Sequence, residues 1–124
     1  MESIKVDRTP YLPLIDFTTE GKLKLEGRAI PEDANKLFDP MIAFVKQLSV
    51  EYVSLDINLD YFNTAASKKI LDLLKALDAN SSVKKILVNW HFEEGDEDSV
   101  ETAEIYEELL HRTDFRYIQY EEAA

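Results

Sequence analysis

The sequence predicts an α/β domain of two layers. It has a mixed, mostly parallel sheet with helices mainly on one face, in the order β-β-α-β-α-β-α-β. Three observations predict it. First, stretches with apolar residues at helical spacing alternate with short stretches of period-two alternation, the pattern of strands joined by crossover helices. Second, the strands are polar on one side. Val53, Leu55, Ile57 and Leu59 oppose Ser54, Asp56 and Asn58; Ile86, Val88, Trp90 and Phe92 oppose Leu87, Asn89 and His91; Leu23 and Leu25 oppose Lys22, Lys24 and Glu26. A parallel sheet sandwiched by helices carries strands that are apolar on both faces, so these strands expect helices on one side. Third, the 124 residues contain no internal repeat, low-complexity tract or linker. A single domain over residues 1–124 is the expectation.

Each element follows from local chemistry. Tyr11 to Phe17 and Lys22 to Arg28 read as two strands around a turn at Thr19-Glu20-Gly21. Pro31-Glu32-Asp33 reads as a helix start, with proline in the first turn and acids beside it. Leu37, Phe38, Met41, Ile42, Val45 and Leu48 recur at helical spacing behind it, and Pro40 is expected to interrupt and kink this helix. Val53 to Leu59 is a strand. Thr64 to Asp78 is a helix with Ala66, Ile70, Leu73, Leu74 and Leu77 on one side and Lys68, Asp72, Lys75 and Ala79 on the other. Lys85 to Phe92 is a strand. Asp98 to His111 is an acidic amphipathic helix expected to turn Val100, Ala103, Tyr106, Leu109 and Leu110 inward, and Phe115 to Gln119 closes the sheet.

Charge and composition exclude several classes of function. The chain carries 14 Lys+Arg against 25 Asp+Glu, a formal net charge of −11. Such a protein repels nucleic acid and anionic lipid at long range, so neither is an expected partner. With no cysteine, disulfides, thiol nucleophiles, zinc-thiolate sites and iron–sulfur ligation are excluded. The apolar runs are too short to span a bilayer, and Met1-Glu2-Ser3-Ile4-Lys5-Val6-Asp7 carries no charged-then-apolar signal pattern. A soluble cytoplasmic protein is the expectation. The acidity is concentrated. From Glu93 to Glu108 there are nine acids and no base, while the other 108 residues carry sixteen acids and fourteen bases.

The stretch Asp60-Tyr61-Phe62-Asn63-Thr64-Ala65-Ala66-Ser67-Lys68-Lys69 joins the carboxyl end of a strand to the next helix, the edge of an open α/β sheet where functional groups collect. Asn63 or Thr64 suits the helix N-cap. If the Thr64 hydroxyl is the cap, its loss costs about 1 kcal/mol. Thr64 is also a candidate phosphorylation site. A phosphate there adds about −1.5 to −2 charges at the positive end of a helix, beside unpaired N–H groups and one turn from Lys68. From Asp60 to Lys85 there are five lysines and three aspartates, a locally basic stretch in an acidic chain.

Tyr61-Phe62-Asn63-Thr64-Ala65-Ala66-Ser67-Lys68 followed by Ile70-Leu71-Asp72-Leu73-Leu74 resembles the central motif of the SiaC family of bacterial regulatory phosphoproteins. Leu25-Glu26-Gly27-Arg28 with Pro31-Glu32-Asp33, then Leu37-Phe38-Asp39-Pro40, resemble that family's early strand and helix start. Asn89-Trp90-His91-Phe92 resembles its later Trp-His strand. The match covers most of the chain in the same order. Ala65 and Ala66 stand where serine is common in the family. The resemblance implies a fold like that of STAS domains, the anti-sigma-factor antagonists, and a role in partner switching. It implies that Thr64 is phosphorylated by a GHKL-type protein kinase and dephosphorylated by a PP2C-type phosphatase. It further implies that the unphosphorylated form activates a diguanylate cyclase, raising cyclic-di-GMP and favouring biofilm formation. Asp60, Tyr61, Asn63, Ser67 and Lys68 are then the expected partner and kinase surface, with no catalytic residue, cofactor or metal.

Two other readings carry their own residues. A small enzyme or small-molecule binder would use Asp56, Asp60 and His91, with His91 as a general base. Against it, a lone histidine beside Trp90 is first a packing residue, and His111 near a helix end favours the dipole. Asp56, Asn58 and Asp60 recur along one strand face but need further ligands to hold a metal, and Glu93 to Asp98 lacks EF-hand spacing. The third reading is a STAS-like scaffold that binds its partner without phosphorylation.

Overall fold

A computed structural model of the chain describes residues 1–121. Among them, six strands form one sheet in the order in which they occur in the chain. β1 (Ile4–Val6), β2 (Leu14–Phe17) and β3 (Lys22–Ala29) meander antiparallel; β4 (Tyr52–Phe62), β5 (Lys85–Glu93) and β6 (Thr113–Tyr120) run parallel to β3 and to one another. α1 (Ala34–Gln47), α2 (Thr64–Asp78) and α3 (Glu97–Leu109) bridge the three parallel steps. Right-handed crossovers that always step to the same side leave their helices on the same face. One buried cluster accordingly joins Phe38, Met41 and Val45 of α1, Ile70, Leu73 and Leu74 of α2, and Ala103 and Tyr106 of α3 to Val53, Leu55 and Ile57 of β4 and Ile86, Val88 and Trp90 of β5. The other face is polar. Its middle row runs Lys24, Asp56, Asn89, Arg116 across four strands. The alternation of the strands and the two layers it implied agree with this architecture.

The structure departs from the sequence-based boundaries where side chains compete with the ladder. The strand expected from Tyr11 begins at Leu14. Thr9 Oγ1 instead accepts from the amides of Leu12 and Tyr11 at 2.9 and 3.2 Å, and Thr9 N donates to Leu12 O at 2.9 Å, so residues 9–12 close on themselves as a turn. β1 adds a strand that the sequence left unassigned; Ile4 pairs with Phe17 and Val6 with Ile15. α1 runs unbroken through Pro40, and Asp33 caps it by accepting from Lys36 N at 3.1 Å. α3 starts at Glu97 behind an Asp96 cap and ends at Leu109, which is exposed and not turned inward.

Gly21 makes the β2–β3 turn possible. It has φ +96, and a Cβ there would lie 2.5 Å from Tyr52 O, so no other residue fits the close approach to β4.

The far ends of the helices are tied by a polar hub. The Asp78 carboxylate accepts from His111 N and Arg112 N, each at 3.1 Å, and from Thr113 Oγ1 at 2.7 Å. Arg112 donates in turn to the carbonyls of Asp78, Val83 and Asn80. Asn80 Nδ2 reaches Val45 O and Leu48 O at 2.8 Å, fastening the end of α1. Burial pushes the Asp78 carboxyl up. The Thr113 hydroxyl, the two amides and the Arg112 charge outweigh it and hold the carboxyl below the ordinary 3.8.

Asp78→Ala leaves three donors without an acceptor and is expected to cost about 3 kcal/mol at neutral pH, read by urea denaturation. The lowered carboxyl contributes stability that is complete above the ordinary value and lost as pH falls through the folded one. The difference between wild type and variant therefore narrows on acidification; a difference that widens contradicts this account.

Candidate functional site

The candidate site sits where β4 hands the chain to α2. β4 is longer than its alternation suggested, because one residue is inserted near its end. Gly27 pairs with Leu59 but Arg28 pairs with Tyr61, leaving Asp60 as the extra residue of a bulge. Gly27, opposite the irregularity, has φ +116 and lies under the Arg8 guanidinium. The insertion changes which face each following residue meets. Tyr61 joins Arg28 on the polar face, with Arg28 Cζ 5.9 Å from the Tyr61 ring centroid. Phe62 swings to the helix face and meets Trp90 edge-on, at 6.1 Å and 90°.

With Phe62 seated, Asn63 and Thr64 have defined roles. Asn63 N donates to Ala29 O at 3.1 Å, and Asn63 Oδ1 accepts from Ala66 N at 2.9 Å. Asn63 is thus the N-cap, extended at φ −80 and ψ 175, and Thr64 is the first helical residue. Of the two caps the sequence allowed, the structure uses Asn63. Thr64 is exposed, and its hydroxyl makes no hydrogen bond among the described residues. The first turn of α2 contains no acid to satisfy the helix end. Lys68, one turn on, is also exposed.

The remaining expected surface residues divide. Asp60 and Tyr61 are exposed beside Thr64. Ser67 is engaged instead: its hydroxyl lies 2.7 Å from the Tyr106 hydroxyl, which donates to Ser67 O at 2.7 Å. Tyr106 stands 5.9 Å from Trp90 at 75°. Burial pushes the Tyr106 hydroxyl up despite its bond to Ser67. Ser67 therefore ties α2 to α3 and leaves the outer surface to Thr64 and Lys68. Arg28, Tyr106 and Trp90 shape the site without having been singled out for it; each meets it across the sheet or between helices, where no sequence spacing points.

The three residues of the enzyme reading are only partly brought together. His91 Nε2 and Asp56 Oδ1 are 2.9 Å apart on the polar face. Asp60 faces Tyr120, whose hydroxyl donates to Asp60 Oδ1 at 3.4 Å. Burial first, then the Asp60 and Glu93 charges, push the Tyr120 hydroxyl up. A groove of about 740 Å³ is lined by Thr9, Tyr11, Leu12, Ile30, Pro31, Glu32, Asp33, Lys36 and Leu37; a second, of about 400 Å³, lies along the start of α3. Neither includes Asp56, Asp60 or His91. No group of acids and histidines among the described residues has metal-site geometry. No helix among them is long and apolar enough to cross a membrane.

Comparison with known proteins adds the following. Residues 6–120 match the SiaC family of regulatory phosphoproteins. An uncharacterized protein of Pseudomonas aeruginosa strain UCBPP-PA14 is 27% identical over 113 residues, covering 87% of this chain and 90% of its own length. The crystal structure of apo-SiaC from Pseudomonas aeruginosa superposes with a TM-score of 0.75 at 28% identity, over 95% of this chain and 99% of that one. A chain in the crystal structure of the diguanylate cyclase SiaD in complex with its activator SiaC, from the same species, gives 0.77 at 27% identity, over 94% and 99%.

Asn63→Ala is expected to lower stability by about 1 kcal/mol. Thr64→Ala, at an exposed position where alanine is the better helix former, changes it by less than about 0.5 kcal/mol. Paired denaturation curves decide this. A larger loss at Thr64 than at Asn63 would return the cap to the threonine.

Proposed function

The chain belongs to the SiaC family of regulatory phosphoproteins, and on that premise we propose that phosphorylation of Thr64 controls its binding to a protein partner. The partner of this reading is a diguanylate cyclase, as it is for the related SiaC. A GHKL-type protein kinase adds the phosphate and a PP2C-type phosphatase removes it. The unphosphorylated chain binds and activates the cyclase, raising cyclic-di-GMP. The chain is a switch and not an enzyme, and it works where ATP and GTP are available, in the cytoplasm.

The observation that carries this reading is the state of the Thr64 hydroxyl. Asn63 supplies the cap, so the hydroxyl is exposed and uncommitted at the first residue of α2. In the kinase step the Thr64 oxygen attacks the γ-phosphorus of ATP, its proton passes to the kinase's base, and ADP leaves. The product dianion sits at the positive end of α2, one turn from Lys68, in surroundings that accept it without unfolding. A partner that covers Thr64 in its neutral form then meets a hydrated double charge, which is costly to desolvate. Asp60, Tyr61, Asn63 and Lys68 surround that position; Ser67 supports it from inside.

The test combines the kinase and the cyclase encoded in the same genome. With kinase and ATP, mass spectrometry is expected to find one phosphate, on Thr64, removable by the phosphatase. Thr64→Ala is expected to bind and activate the cyclase as the wild type does, and Thr64→Asp to bind it at least several-fold more weakly. Phosphate at another residue with Thr64 unmodified, or binding by Thr64→Asp and by the phosphorylated chain equal to that of the unphosphorylated wild type, contradicts the reading.

A further inference from the structure

We propose that the outward face of α3 docks a basic segment of the partner protein, one that presents apolar side chains flanked by lysine or arginine. This rests on the cyclase reading above and says which second surface of the chain meets that protein. α3 already buries Ser99, Ala103 and Tyr106 inward. On the adjoining outward flank, one turn apart, Ile105 is 57% exposed and Leu109 is 47% exposed. The helix therefore carries two apolar stripes where a helix lying on a sheet needs one, and the outer stripe has nothing over it among the described residues.

The charges around that stripe name its occupant. At 100° per residue, Glu101 and Glu108 border Ile105 on one side, and Glu104 lies just beyond them. α3 contains no base, and none of the ion pairs among the described residues involves one of its carboxylates. Glu101, Glu104 and Glu108 stand three and four residues apart, the spacings at which like charges on a helix repel. The last turn has no basic residue, and Glu107 and Glu108 occupy the end where the helix dipole favours a cation. Glu97 and Asp98 suit the first turn, but the carboxylate row and the last turn are set against the helix's own electrostatics, and bound cations relieve both defects at once. Lysine or arginine on either side of an apolar anchor fits this face; an anionic lipid surface or a nucleic acid is repelled by it.

Binding to the purified cyclase, measured at low and high salt, tests the surface. Both sets of substitutions lie on exposed positions, and circular dichroism and melting curves verify the fold. Ile105→Ser with Leu109→Ser is expected to weaken binding at least tenfold, mainly through faster dissociation. Glu101→Gln with Glu108→Gln is expected to slow association several-fold and to flatten its salt dependence. Folded double variants that both bind within twofold of wild type, with unchanged salt dependence, overturn the proposed surface while leaving the Thr64 switch standing. A wild-type chain that binds no cyclase at either salt overturns the cyclase reading, and this surface with it.

Discussion

One inserted residue in β4 sets the geometry on which the site depends. A strand alternates faces with period two, so every residue beyond an insertion exchanges its face. Up to Leu59 the odd-numbered residues of β4 fill the core. Without Asp60 as an extra residue, Phe62 would follow Asp56 and Asn58 onto the polar face. With it, Phe62 reaches Trp90, and the amide of Asn63 falls opposite Ala29 O. That placement lets Asn63 cap α2, which in turn leaves Thr64 outside with an uncommitted hydroxyl. Gly27 opposite the bulge, with its positive φ, is the matching backbone feature on β3. The chain of dependence runs from a backbone irregularity through one aromatic contact to the exposure of one hydroxyl.

The same feature explains what could be read in the sequence and what could not. α2 was legible to the residue because Ala66, Ile70, Leu73, Leu74 and Leu77 keep one face and Asn63 or Thr64 marks the start. The end of β4 was not, because a bulge breaks alternation in the way that the end of a strand does: Asp60-Tyr61-Phe62 reads as a loop until β3 is placed beside it. β1 is three residues long with only Ile4 half-buried, too short to carry a period. Leu109 was assigned inward because α3 has apolar residues on two sides, and a pattern with two stripes does not say which one meets the sheet. At the site, sequence and family resemblance singled out Thr64 and its neighbours. They did not distinguish Ser67, bound to Tyr106 thirty-nine residues away, from Lys68, which stands free in solvent.

The junction is also held from both sides, and this bears on what kind of switch it can be. Asn63 is bonded to β3 and to the first turn of α2, Ser67 to α3, and Lys69 to Asp39 of α1 at 2.7 Å. A phosphate on the first helical residue adds negative charge where the helix dipole favours it by about 0.3–1 kcal/mol. The proposed modification would therefore work with the fold and give α2 no reason to unwind. A switch at this place must act outside the chain, through the difference between a partner surface that covers a neutral threonine and one that must strip water from a dianion. Desolvating an unpaired charge costs several kcal/mol, against the 1.4 kcal/mol that changes affinity tenfold. On the reading proposed here, one phosphate is enough to change which partner is bound while the domain that carries it stays folded.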